Sequence, residues 1–140
     1  MSALERLLDA IGYPDGRPEG GASSFTIRVD GMEIEAEESA GVVTLKYVLT
    51  DNEQMLGQLA AYAAGRMLKE EATLSWDEQR GAAGTFRIFI WQAADAGAAP
   101  RELTRLFESF TNSCDWCRER VGALGDEKEE ERKDEFRMPV

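Results

Sequence analysis

Between Phe25 and Leu49 the chain alternates apolar and polar residues three times in succession, and no other feature constrains its fold as much. Phe25, Ile27 and Val29 alternate with Thr26, Arg28 and Asp30; Met32, Ile34 and Ala36 alternate with Glu33, Glu35 and Glu37; Val43, Leu45, Tyr47 and Leu49 form the apolar side of a third run. Successive side chains of a strand point to opposite faces, so each run predicts a strand with one buried face and one solvated face. Asp30-Gly31 is a strong hairpin signal, and Gly41 marks a second turn. The three strands are expected to form an antiparallel meander.

Helical spacing flanks the meander. Leu4, Leu7, Leu8 and Ile11 follow the i, i+3, i+4, i+7 pattern of one apolar face, with Ser2 and Glu5 as a capping box and Gly12 and Pro14 as stops. A helix of about three turns is marginal alone, so this leucine face must dock on something. Residues 13–24 are a loop dense in Gly, Pro and Ser. Its glycines follow no strand and precede no Lys-Ser/Thr pair, so they do not read as a phosphate cradle. A second helix is expected from Thr50 or Asp51 to about Glu70. Its apolar residues cover more than half its circumference, and Ala60, Ala61, Ala63, Ala64 and Gly65 allow close approach of another helix. One apolar stripe suffices to pack on a sheet, so the surplus points to a contact with a second copy or to a central helix buried on all sides.

Two further strands are expected. Ala72, Leu74 and Trp76 alternate with polar residues, and residues 79–84 connect to the run TFRIFIWQ. That run is apolar on both faces, with Phe86, Ile88 and Ile90 on one and Phe89 and Trp91 on the other, as in a central strand or one that meets a partner. Pro100 opens a third helix whose stripe contains Leu103, Leu106, Phe107, Phe110, Cys114, Cys117, Val121 and Leu124. The expected architecture is one α+β domain over residues 1–124 in the order α-β-β-β-α-β-β-α, an antiparallel twisted sheet with helices packed on it. Residues 125–140, charged and without apolar period, are expected to be a flexible tail; Phe136, Met138 and Val140 could form a small hook at its end.

A domain of 140 residues buries roughly 70% of the surface its unfolded chain exposes, and so needs neither metal nor disulfide to hold it. With 27 acidic and 16 basic side chains the formal net charge is −11, which disfavours nucleic acid as a partner. No run of 18 apolar residues is present and the first residues do not read as a signal peptide, so membrane insertion is not expected and a cytoplasmic location is. The sequence has no histidine, which removes the commonest general base and metal ligand and every Ser-His or Cys-His pair. Glu33, Glu35 and Glu37 read as a solvated strand face rather than a cation site. The one catalytic-looking motif is Cys114-Asp-Trp-Cys117. Redox pairs depend on a helix N-terminus that lowers a thiol pKa, whereas these cysteines fall on the core stripe, well inside a helix, and zinc would lack two ligands. No catalytic residue, metal or cofactor is expected; a thiol oxidoreductase using the two cysteines is the enzymatic alternative.

The helix ERLLDAIG, the acidic meander FTIRVDGMEIEAEE, the strand VVTLKYVL, the Ala-rich helix MLGQLAAYAAGRML and the aromatic strand FRIFIWQ, taken in this order, resemble the class I type III secretion chaperones, the CesT/Tir-chaperone family. The resemblance covers residues 1 to about 124 and rests on architecture rather than a strict motif. It implies a bacterial cytoplasmic homodimer held largely by the second helix and the neighbouring strand, with Leu56, Leu59, Tyr62, Ala63 and Met67 at the matching positions. It also implies that a secreted effector's N-terminal region binds in extended form on apolar patches and adds β-strand contacts, with components of the secretion apparatus as a further class of partner. Leu4, Leu7, Leu8 and Ile11, together with Leu74, Trp76, Phe86, Phe89 and Trp91, are the residues here that could supply such patches. The alternative binding function is an acidic regulator that sequesters another cytoplasmic protein.

Overall fold

The computed structural model describes residues 2–67, 72–78 and 86–135, with the side chains of 62–67, 78, 86 and 124–135 outside the description. Helix α1 spans Ala3–Ile11. Ser2 caps it by accepting from the Glu5 amide at 3.2 Å, and Gly12 ends it at φ 68°, a left-handed conformation that lacks a Cβ penalty in glycine. Strands β1 (Ser24–Val29), β2 (Met32–Ser39) and β3 (Val42–Thr50) form the expected meander. Asp30 (φ 51°) and Gly31 (φ 75°) make the first two-residue turn. Ala40 (φ 52°) and Gly41 (φ 78°) make the second, so both central residues of each turn have positive φ, the geometry that matches the right-handed twist of hairpin strands.

The next helix begins later than its sequence suggests. Thr50 is the last residue of β3, and Asn52 rather than Thr50 or Asp51 acts as cap, its side chain accepting from the Gln54 amide at 3.0 Å. A single 3₁₀ turn, Glu53–Met55, leads into α2 (Leu56–Met67). Strand β4 (Thr73–Glu78) pairs with β5 (Phe86–Asp95), and β5 inserts against β3, giving the antiparallel order β1-β2-β3-β5-β4. Helix α3 runs from Pro100 to Glu135, 36 residues, eleven beyond the point where the apolar stripe stops. The extension is rich in Glu, Lys and Arg, strong helix formers, and Glu129 stands four residues before Lys133, a spacing that supports a helix without tertiary contacts.

All three helices pack on one face of the sheet. The main core lies between α1, α3 and strands β1–β3 and β5, with Leu4, Leu7, Ile27, Ile34, Val43, Leu45, Ile90, Leu103 and Phe110 inaccessible to solvent. Polar bonds pin the layers. Arg6 donates to the carbonyls of Ala96 and Ala98, Thr104 Oγ1 to that of Ala10 at 3.2 Å, and Arg118 to that of Asp30 at 2.8 Å. A separate, smaller cluster of Met55, Leu59 and Ile88 holds α2 to the sheet, with Leu49, Leu56, Leu74 and Val121 around it.

Candidate partner-binding surfaces

Strand register decides which apolar residues remain available. Trp91 pairs with Lys46 of β3 and Thr73 of β4, and Phe89 with Val48 and Ser75. Residues directly opposite share a face, so Val48, Lys46, Phe89 and Trp91 lie together on the side of the sheet that carries none of the described helices. They are half-buried by one another. The Lys46 ammonium sits 4.1 Å from the Phe89 ring centre, and Trp91 Nε1 donates to Ser75 Oγ at 3.1 Å. The first contact sets a cation over the Phe89 ring, and the second fixes the orientation of the Trp91 indole. Beside this strip run the exposed carboxylates of Glu33, Glu35 and Glu37 on β2. A shallow cavity of about 300 Å³, lined by Thr26, Glu33, Glu35, Lys46, Val48 and Arg87 among others, joins the two. Arg28 pairs with Glu33 and Arg87 with Asp77, each at 3.3 Å.

The other candidate residues are distributed elsewhere. Leu4, Leu7 and Leu8 are 0%, 0% and 1% exposed, inside the core on the opposite face, and Ile11 is half-buried at its margin. A partner reaches the three leucines only if α1 moves. Leu74 and Trp76 pair with Ile90 and Ile88 and therefore lie on the helix-bearing face. Leu74 is half-buried, whereas Trp76 is 59% exposed at the rim of the smaller cluster. Phe86 pairs with Glu78, its side chain outside the described residues. The nine residues thus form no single patch. The strip on the open face unites only Phe89 and Trp91 and adds Val48 and Lys46, which alternation assigned to the solvated side of β3 without further signal.

On α2, Leu59 is 2% exposed and packs on the chain's own sheet, with Leu56 half-buried beside it. The outward residues are Gly57, Gln58, Ala60 and Ala61. The side chains of Tyr62, Ala63 and Met67 lie outside the described residues.

The cysteine pair is built for packing. Cys114 and Cys117 are 0% and 4% exposed on the core side of α3. Burial pushes the Cys114 thiol far above its ordinary range, and the neighbouring Cys117 and Asp115 add to the effect. This is the opposite of the electropositive, low-pKa setting of a reactive thiolate. Tyr47 is likewise shifted up, by burial first, against a lowering contribution from Arg118. Among the described residues no His/Cys/Asp/Glu group could hold a metal ion, and no helix is long and apolar enough to cross a membrane.

No protein-family model matches the sequence, and no curated protein matches it. Solved structures share the fold. A chain of the HopA1–SchA chaperone–effector complex superposes with a TM-score of 0.62 at 13% identity, over 84% of this chain and 91% of that one. A chain of the ExsC–ExsE complex gives 0.60 at 12% identity, over 84% and 89%. YbjN, a putative transcription regulator from E. coli, gives 0.56 at 12% identity, over 90% of each chain.

Proposed function

We propose that this chain, which has the fold of the class I type III secretion chaperones, works as one. It binds the N-terminal region of a secreted effector in extended form, as a homodimer in the bacterial cytoplasm, and keeps that region soluble and ready for export. The observation that carries this reading is the shared fold with a chain of a chaperone–effector complex over 84% of this chain and 91% of that one. The one-sided sheet supports it. Binding an extended, partly apolar chain calls for accessible apolar surface, and Phe89, Trp91 and Val48 present it beside acidic side chains. Apolar surface endangers solubility, and a net charge of −11 offsets that by repulsion between copies. The outward Gly57, Ala60 and Ala61 of α2 suit close approach of a second helix in the dimer.

A second reading is an acidic regulator that sequesters another cytoplasmic protein on the same fold, a fold that a putative transcription regulator, YbjN, also has. Affinity capture of the tagged protein from its source cells, mass spectrometry of what binds, and light scattering of the purified complex separate the two. The chaperone reading expects one dominant secreted protein, held through its N-terminal region by two copies of this chain. Capture of a cytoplasmic regulator favours the second reading, and a monomer with no protein partner defeats both.

A further inference from the structure

Helix α3 leaves the domain at a defined place. The register sets the Asp30-Gly31 turn, the last residues of β3, the first of β5 and the last of β4 at one end of the sheet. Arg118 bonds the Asp30 carbonyl at 2.8 Å, and Val121 packs at the margin of the small cluster of Met55, Leu59 and Ile88. Helix α3 therefore exits at this end. Trp76 lies there too, two residues before β4 finishes at Glu78. It pairs with Ile88 of the small cluster and is 59% exposed.

Gly122 follows Val121 directly, and Gly125 stands one turn later. Between Pro100 and Val121 the helix has no glycine. A Cβ at Gly122 would meet nothing within 4 Å, and the backbone there is helical, so neither packing nor a left-handed conformation calls for glycine. Each glycine destabilises a helix by about 1 kcal/mol relative to alanine. Two of them make this the point at which α3 bends most easily. Beyond it Asp126–Glu135 forms an arm of about 15 Å of helix. Residues 136–140, Phe-Arg-Met-Pro-Val, lie outside the described residues. In their sequence Pro139 opposes a helical conformation of Met138, and Phe136, Met138 and Val140 recur at the spacing that shares one side of an extended segment. Five extended residues reach about 17 Å. An arm bent at the glycines thus has the length to carry these three side chains across the end of β4, a strand of about 20 Å.

We propose that the arm of α3 is an autoinhibitory strap, which bends at Gly122 and Gly125 and lays Phe136, Met138 and Val140 on Trp76, covering the β4 end until a partner displaces it. The strap does not depend on the chaperone reading. Two opposed forces set its position. Burial of the apolar tip against the exposed indole pulls it closed. Charge pushes it open, because Asp126–Glu135 holds seven acidic and three basic residues, and Glu53 and Asp77 stand at the same end of the domain. Salt screens that repulsion, with a Debye length of about 10 Å at 0.1 M, so the strap closes as ionic strength rises.

The test uses the full chain with a nitroxide on Val140→Cys; Cys114 and Cys117 are buried and stay unlabelled. Broadening of backbone amide signals is read by NMR at low and high salt. Trp76 and Asp77 should broaden at least threefold more than Ile34, and more at high salt than at low. Phe136→Ser with Met138→Ser should remove the effect. Gly122→Ala with Gly125→Ala should reduce it several-fold while the melting temperature holds or rises, since alanine stiffens the helix. No broadening at Trp76 at either salt level overturns the strap. Undiminished broadening in the alanine variant overturns the hinge, and broadening indifferent to salt overturns the electrostatic opposition. Isotope-labelled chains without nitroxide, mixed with nitroxide-bearing chains without isotope, identify the source. Broadening as strong in that mixture as within one chain assigns the tip to a neighbouring copy and overturns the strap. The regulatory consequence is read by light scattering over a dilution series. Phe136→Ser with Met138→Ser should tighten self-association several-fold, and unchanged or weaker association overturns the autoinhibition.

Discussion

The two ends of the sheet are finished to different degrees. Under β1–β3, α1 and α3 close a core in which Leu4, Leu7, Leu8, Ile27, Met32, Ile34 and Phe110 are all at or below 1% exposure. At the β4 end, among the described residues, α2 rests on a cluster of three buried residues, and Trp76, on the same sheet face, is 59% exposed. The difference teaches where stability resides and where surface is left over. Hydrophobic stabilisation scales with apolar area removed from water, about 25 cal/mol per Å², so among the described residues the first end carries most of it. The second end has α2, described over Leu56–Met67, on a support of three buried residues among those described. Such an end gains from a partner that covers it.

The sharpest way to break this comparison is one chemical change made at both ends. Leu7→Ala should cost about 4 kcal/mol, near the top of the usual range for a leucine lost from a core, because its neighbours are held from two helices and the sheet and cannot collapse into the gap. Leu59→Ala should cost about 2 kcal/mol, because the small cluster relaxes more easily. Urea titrations of both variants give the two values. Equal losses would show that the ends are energetically alike. The burial of Leu59 also redirects a test of the dimer. Leu59→Glu would bury a charge within the chain's own fold, so a mass change in that variant reports folding as much as assembly. Ala61→Glu, on the exposed side of α2, leaves the cluster intact and should halve the mass measured by light scattering if α2 is the dimer contact.

A smaller effect, confined to the closed end, comes from alkaline titration. Cys114 and Tyr47 both have folded-state pKa values raised above their unfolded ones, chiefly by burial. A raised value means that the neutral form is favoured in the folded state. The associated stability is complete below the unfolded pKa and is lost as pH rises. For the thiol the loss begins above about pH 8.5, at up to about 1.4 kcal/mol per pH unit, and for the phenol above about pH 10, where solvent screening makes it smaller. Cys114→Ala should remove the earlier part of that decline, as measured by denaturant midpoints from pH 7 to 10. An unchanged slope would mean that Cys114 is reached by solvent. The native protein should also leave both thiols unreacted with a thiol reagent until it is unfolded.

Much of this contrast was readable in the residues. The period-two runs predict the meander because the alternation and the Asp30-Gly31 turn specify strand, face and register together. The stripe from Leu103 to Cys117 predicts the core side of α3 for the same reason, at helical spacing. The rest depends on partners that spacing does not name. TFRIFIWQ is apolar on both faces, and only its pairing with β3 and β4 shows that Phe89 and Trp91, not Ile88 and Ile90, face the open side. The leucines of α1 announce a buried stripe but not what buries it. The cap at Asn52 was hidden because Thr50 and Glu53 satisfy a capping pattern while Thr50 is claimed by β3. Tyr13 carried no signal at all, since its hydroxyl accepts from the Arg28 amide, a contact set by the register of a strand fifteen residues away.

The smallest stability effect is expected at Trp76. Alternation with Leu74 places it on the helix side, yet β4 is an edge strand and the cluster opposite Ile88 is too small to cover an indole. Trp76→Ser should therefore shift stability by no more than about 0.5 kcal/mol, the usual range for a surface position. Its consequence belongs to association. If the β4 end is the part that a second copy or a client completes, the same substitution should weaken that assembly at least tenfold while the melting temperature of the isolated chain stays put. Trp91→Ala on the open face supplies the control, since it should weaken client binding without touching self-association. A Trp76→Ser protein that loses several kcal/mol of stability would place the indole in the core and erase the difference between the two ends. One that assembles and binds its client as well as the parent would show that the exposed ring is not where the sheet is completed.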